Sequence, residues 1–295
     1  VGYRVLAVAA GDGIRAQAEE LRHWGADEIA VYDDPELGFF RADAYAACLE
    51  DYIRFVKPSV VLVGATALGR SLAPRLSTRF RTGLTADCTA LELRESTDLV
   101  QIRPAFGGNI MAQIVTEHTR PQFATVRYKV MEPPARIPEA SGTILERRIP
   151  AGVYASPVRR VLVRPVPPAR SISDAEILVV GGRGLRRESD LGMIRELAEA
   201  LGGDWATTRP LVEKGWAPND RQIGLSGRTV RPRLIITCGV SGAIQFTSCM
   251  NASEHIVAIN TDGNAPIFDV AHVAIHGDLY SIVPELIRAC GEAKA

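Results

Sequence analysis

The sequence predicts an α/β protein of two domains, a parallel sheet with antiparallel additions followed by a second, doubly wound sheet. Three observations predict it. Apolar strand runs alternate with helical periods through residues 3–79, and the alternation resumes at 177. Between 84 and 131 the pattern changes to short strands joined by turns. The stretch PVPPARSISDAE (165–176) is stiffened by proline and crossed by no apolar period, which marks a boundary. Domains of 1–168 and 169–295 follow.

In order, YRVLAVAA (3–10) reads as a buried strand and IRAQAEELRHW (14–24) as an amphipathic helix. DEIAVYD (27–33) is a strand, ADAYAACLEDYIRFV (42–56) a helix, SVVLVGAT (59–66) a strand, and a helix covers 70–79. LTADCTALEL (84–93), VQIRPAF (100–106), NIMAQIVTE (109–117) and QFATVRYKVM (122–131) read as antiparallel strands, with a turn at Gly107-Gly108. VRRVLVRP (158–165) is a further strand ending at proline. Beyond the boundary come a strand at 177–182, a helix at 190–201, a short strand near Trp205, strands at 233–240, 254–261 and 272–278, and a closing helix at 279–290. This second domain is flavodoxin- or Rossmann-like, and such folds bind ligands at the carboxyl ends of their strands.

Composition narrows the function. The 295 residues include 34 Lys and Arg against 34 Asp and Glu, a net charge of zero, which argues against non-specific nucleic-acid binding. No apolar run approaches the roughly 18 residues that span a bilayer. The start, VGYRVLAVAAGDG, enters a strand at once, without a basic segment and cleavage site. Five scattered cysteines without a CxxC read as reduced, buried thiols. His272 and His276 lack a third ligand nearby, so no metal site is expected, and no G-x-S-x-G marks a hydrolase.

Two places suit a phosphate. GDGIRA (11–16) follows a strand and matches G-x-G-x-x-A through Gly11 and Gly13, with Asp33 and Asp34 ending the next strand about 20 residues on, as a dinucleotide site asks. Any β-α-β unit also tends to put glycine at its first turn. The second domain is richer. GGRGL carries Arg183, ATTRP carries Thr208 and Arg209, and QIGLSG runs through Gln222, Ile223, Gly224, Ser226 and Gly227. GVSGAIQF holds Gly239, Ser241, Gly242, Ala243, Gln245 and Phe246, INTD holds Asn260, Thr261 and Asp262, and HGDL holds Asp278 and Leu279. Each alone is a turn. Together they offer N–H groups for a pyrophosphate, two arginines, and polar edges for ribose or adenine.

At these residues the sequence resembles the alpha subunit of an electron transfer flavoprotein. VGGRGL, TTRPLVEKGW, QIGLSGRTVRP, LIITCGVSGAIQF, HIVAINTDGNAPIF and DLYSIVPELI carry the resemblance, and KPSVVLVGAT, GRSLAPRLS and RPAFGGN extend it to the first half. The resemblance implies that the second domain binds FAD and that a beta subunit completes the protein. It places Arg183, Ser241, Gly242, Ala243 and Gln245 along the diphosphate and ribityl chain, Asn260 and Asp278 at the adenosine, Arg209 against the isoalloxazine and Ser226 near its N5. It makes the first domain a scaffold and partner surface without a dinucleotide. A flavin dehydrogenase such as an acyl-CoA dehydrogenase is the implied redox partner, in the bacterial cytoplasm or the mitochondrial matrix. Phe246 and Leu225 depart from the best-known members, which have His and Gln there. Those departures suit members that bifurcate electrons from NADH with a second FAD in the beta subunit. Two other functions stay open on the residues alone: an NAD-dependent dehydrogenase built on GDGIRA, and a nucleotide-binding regulatory module without flavin.

Overall fold

The structure, a computed structural model, describes residues 3–105, 110–154, 161–164 and 171–292. The chain divides into two compact units, Val1–Arg103 with Ala112–Pro165, and Pro104–Met111 with Val166–Ala295. The expected boundary at 168 and the Gly107-Gly108 turn fall outside the described residues.

The first half runs β1 (Leu6–Gly11), α1 (Arg15–Glu20), β2 (Glu28–Asp33), α2 (Ala42–Val56), β3 (Val60–Gly64), α3 (Ala67–Arg79), β4 (Leu84–Cys88), β5 (Ala90–Leu93), β6 (Leu99–Ala105), β7 (Ile110–Ile114), β8 (Gln122–Val126) and β9 (Thr143–Glu146). Two sheets, ordered β1-β2-β9 and β3-β8-β4, are parallel in all their pairings, and a third has the order β5-β6-β7. The antiparallel expectation holds for β5 and β6, paired Ala90↔Ile102 to Leu93↔Leu99. It fails for β4 and β8. Helix α3 crosses over between β3 and β4, which leaves those strands running the same way, and β8 enters between them in that direction. β9 was not anticipated, because TILE is too short and too exposed to show an apolar period. The strand expected at 158–165 is not formed at 161–164, where Val161, Leu162 and Val163 are exposed; its other residues lie outside the described ones. An apolar run becomes a strand only where a neighbour pairs with it, and none does among the described residues.

The second unit contains β10 (Ile177–Gly181), α4 (Leu191–Ala200), β11 (Asp204–Thr208), α5 (Arg209–Glu213), β12 (Gln222–Ile223), β13 (Leu234–Cys238), α6 (Ile244–Thr247), β14 (His255–Asn260), α7 (Ile267–Val270), β15 (Val273–His276) and α8 (Leu279–Glu292). One six-stranded parallel sheet has the order β12-β11-β10-β13-β14-β15. The chain enters at the centre, winds out to β12, returns past β10 and winds out to β15. The winding reverses between β10 and β13, and the loops leaving their carboxyl ends turn to opposite faces.

Side-chain alternation gives this sheet two cores. Leu178, Val180, Ala206, Ile235, Ile256 and Ala258 pack on one face with Phe246, Met250 and Ile267. Val179, Ile236, Cys238 and Ile259 pack on the other with α4 and α8. Helix α4 buries Leu191, Ile194, Leu197 and Ala198, the spacing of one helical face, and α8 buries Leu279 and Val283. Both strand faces are covered, so these strands read as continuous apolar runs.

Candidate functional site

A crevice of about 390 Å³ opens at the carboxyl ends of β10, β13, β14 and β15. Arg183, Gly184 and Arg186 line it from the first loop, Gly239 and Ser241 from the second, Asn260, Thr261 and Asp262 from the third, and Gly277, Asp278, Leu279 and Tyr280 from the start of α8.

Glycine makes the first two loops fit. The Gly182 N–H donates to the Cys238 carbonyl and the Gly184 N–H to the Gly239 carbonyl, each at 2.9 Å. A Cβ on Gly182 would stand 2.3 Å from the Gly239 oxygen, and one on Gly184 2.7 Å from the Gly239 Cα. Gly242 has φ +86°, and a Cβ there would stand 2.1 Å from the Ile267 nitrogen. No L side chain tolerates both constraints. The turn between β13 and α6 therefore presents bare backbone: the N–H groups of Ser241, Gly242 and Ala243 have no hydrogen-bond partner among the described residues, and neither does the Arg183 guanidinium. Below the turn, burial pushes the Cys238 thiol up to about 12, so it is an inert filler.

The far wall is built from acids and amides that shape the loops. Asn260 Nδ2 donates to the Val240 carbonyl (2.8 Å), and its Oδ1 accepts from Asp262 N–H (3.0 Å). Asp262 Oδ1 accepts from Asn264 N–H (3.0 Å). Asp278 Oδ1 accepts from Tyr280 N–H (3.0 Å) at the start of α8, and its Oδ2 lies 3.4 Å from the Arg186 guanidinium. Asn260 keeps one amide hydrogen and one lone pair after these bonds.

Thr208, Arg209 and the QIGLSG loop stand apart from this crevice, at the ends of β11 and β12. Thr208 precedes α5 and is buried, while Arg209 is exposed with its Nε 2.8 Å from Glu213 Oε1. The loop closes tightly: Arg228 N–H donates to the Gln222 carbonyl (2.7 Å), Gly227 N–H to that of Gly224 (2.9 Å), and Gln222 Nε2 to Ser226 Oγ (2.8 Å). Leu225 N–H donates to the Gln245 carbonyl (3.0 Å), which ties the loop to α6. Gln245 is exposed, whereas Phe246 is 6% exposed and packs into the core, as does Ile223.

Sequence reasoning missed Gly184, Arg186, Ala265, Pro266, Gly277 and Tyr280, which line the crevice. The VGGRGL run could have shown Gly184. Nothing marked Tyr280, an aromatic at the start of an amphipathic helix.

The other phosphate candidate is arranged differently. Gly13 N–H donates to Asp33 Oδ1 at 2.7 Å, so a carboxylate of the chain itself takes the turn's donor. A phosphate there would have to displace it. Among the described residues no three His, Cys, Asp or Glu side chains gather as a metal site, and His272 Nδ1 accepts from Ile256 N–H (2.9 Å).

Residues 1–151 match the family model described as electron transfer flavoprotein domain, and residues 171–251 the electron transfer flavoprotein FAD-binding domain. The chain belongs to the electron transfer flavoprotein family, as an alpha subunit. Electron transfer flavoprotein subunit alpha of Thermoanaerobacterium thermosaccharolyticum is 40% identical over 99% of this chain and 89% of its own length. Lactate dehydrogenase (NAD(+),ferredoxin) subunit LctC of Acetobacterium woodii is 54% identical over 97% of this chain and 69% of its own length. Protein FixB of Azorhizobium caulinodans is 42% identical over 92% and 74% respectively. As an electron transfer flavoprotein alpha subunit the chain serves electron transfer, binds FAD through its second unit and pairs with a beta subunit. No helix among the described residues is long and apolar enough to cross a membrane.

Proposed function

We propose that FAD lies along the carboxyl edge of the six-stranded sheet, its diphosphate on the Gly239–Ala243 turn and its adenosine in the crevice. The isoalloxazine then lies toward Thr208, Arg209 and the QIGLSG loop. One observation carries this reading: unpartnered N–H groups and an unpaired guanidinium meet where the winding of the sheet reverses, on a turn that glycine keeps clear of side chains. The residues fit the cofactor. Ser241, Gly242 and Ala243 donate to phosphate oxygens, and Arg183 supplies charge. Asn260 and Asp278 each retain a group for ribose or adenine.

Bound FAD supplies reversible electron uptake and release. Arg209, paired with Glu213 at 2.8 Å, would supply positive charge beside a bound ring, which would favour uptake of electrons. Gln222 donates to the Ser226 oxygen, so the Ser226 hydroxyl keeps its own proton free to donate to a ring nitrogen. Phe246, turned into the core, offers the ring no hydrogen bond.

We further infer that the heterodimer works in the bacterial cytoplasm with a flavin dehydrogenase of 2-hydroxy acids. In this reading it is an electron-bifurcating member that takes electron pairs from NADH and passes them to ferredoxin and to the dehydrogenase flavin, with a second FAD in the beta subunit. The name of the Acetobacterium woodii relative, a lactate dehydrogenase subunit, supports this pairing, at an identity of 54% against 40% for the Thermoanaerobacterium thermosaccharolyticum subunit. Co-purification with the beta subunit, followed by release and counting of cofactors, tests it. Two FAD per heterodimer, reducible by NADH, are expected. One FAD with AMP and no reduction by NADH would return the protein to simple carriage, with an acyl-CoA dehydrogenase as the partner. A folded heterodimer without flavin would overturn the placement of FAD.

A further inference from the structure

The loop between β10 and α4 is fastened at both ends. Near its start, the Gly184 N–H donates to the Gly239 carbonyl (2.9 Å). Near its end, the Arg186 N–H donates to the Tyr280 hydroxyl oxygen (2.8 Å), and that hydroxyl donates to Asp190 Oδ2. The same Asp190 oxygen accepts the Arg187 N–H at 3.1 Å. The Arg186 guanidinium lies 4.5 Å from the Tyr280 ring centroid. Arg183 stands between Gly182, whose N–H donates to the Cys238 carbonyl (2.9 Å), and Gly184, exposed and without an ion-pair partner among the described residues. Tyr280 and Arg186 are themselves part of the crevice wall.

A loop with glycine at 182 and 184 has many conformations to lose, and tethering its ends removes most of them before any ligand arrives. The tether comes from α8, a helix of 14 residues packed on the sheet, so it is stiffer than the loop it holds. Asp190 suits the task. The Tyr280 hydrogen bond holds its carboxyl below the ordinary range, so it stays an ionised acceptor at neutral pH.

We propose that Tyr280 and Asp190 are positioning residues that clamp the Arg183 loop over the adenosine diphosphate end of FAD and set how long the cofactor stays bound. This rests on the placement of FAD given under Proposed function. The clamp touches the adenosine end alone, so it governs retention and leaves the chemistry of the ring untouched.

Tyr280→Phe keeps the ring and its contact with Arg186 and removes both hydrogen bonds of the hydroxyl. The variant is compared with wild type as the heterodimer with its beta subunit. FAD affinity and release rate are followed by flavin fluorescence, with ADP as a competitor. The expected result is a rise of about tenfold in Kd for FAD and for ADP, carried by faster release. The absorption spectrum and reduction potential of the bound flavin stay as in wild type. Asp190→Asn should move Kd in the same direction, and it serves alone if Tyr280→Phe does not fold. Arg183→Gln is the control for the placement of FAD and should weaken both ligands. If Arg183→Gln weakens binding while both clamp variants bind as wild type, melting earlier only without flavin, the clamp is merely structural and the proposal falls. If Arg183→Gln also leaves both affinities unchanged, the placement of FAD falls with it.

Discussion

Gly182 and Gly192 occupy opposite kinds of space. A Cβ at Gly182 meets a backbone oxygen at 2.3 Å, while one at Gly192, inside α4, meets nothing within 4 Å. Gly182→Ala should therefore cost about 2 kcal/mol or more, since backbone must move and not merely a flexible side chain. Gly192→Ala should add about 0.5–1 kcal/mol, because alanine loses less entropy in a helix. Urea unfolding of the two variants against wild type reads both signs. The cysteines make a second contrast. Burial pushes the thiols of Cys48 and Cys238 up to about 12, and Cys88 and Cys249 are also buried, whereas Cys290 is half-buried. At pH 8 a thiol of that pKa is ionised to only about 1 part in 10,000. Peptide mapping after brief iodoacetamide treatment should find Cys290 labelled first and Cys238 last, and early labelling of Cys238 would mean that its turn opens.

The elements that sequence reasoning located are those whose residues answer to one cause. β10, β13 and β14 are covered on both faces, so their apolar runs stand out, and α4 buries a single stripe. The glycine turns were legible for a related reason, since close approach of two backbones excludes every other residue. Direction and partnership were less legible. β4 and β8 look like hairpin strands locally, yet β8 pairs in parallel with both β3 and β4, a direction decided by the crossover through α3. α5, α7 and β12 are too short to show a period. Tyr280, Asp190 and Arg186 escaped because they act on one another across the fold, from the two ends of a unit whose sequence separates them by five strands and their helices. A long-range polar contact leaves no local pattern to read.

At the scale of the whole molecule, each unit has cores of its own. Tyr32, Cys48 and Tyr52 lie at the centre of one in the first, and Leu178, Val180 and Ile235 in one of the second. FAD binds the folded second unit and not its unfolded chain, so it should stabilise that unit by about 2.7 kcal/mol at a hundredfold excess over Kd. Differential scanning calorimetry of the chain is expected to resolve two transitions, with added FAD raising only one. Equal movement of both would mean that the units unfold as one. The parallel sheet has a consequence for biogenesis. The floor of the Gly239–Ala243 turn is shared by β10 and β13, which pair directly although α4, β11, α5 and β12 lie between them in the chain. Pairing them closes a loop of roughly 50 residues, a slow step for any chain. With FAD placed on that turn as proposed, the cofactor has nothing to hold during synthesis until β13 has left the ribosome and docked on β10. Flavin capture comes late in maturation, and a shortage of FAD would leave a nearly finished protein waiting, not an unfolded one.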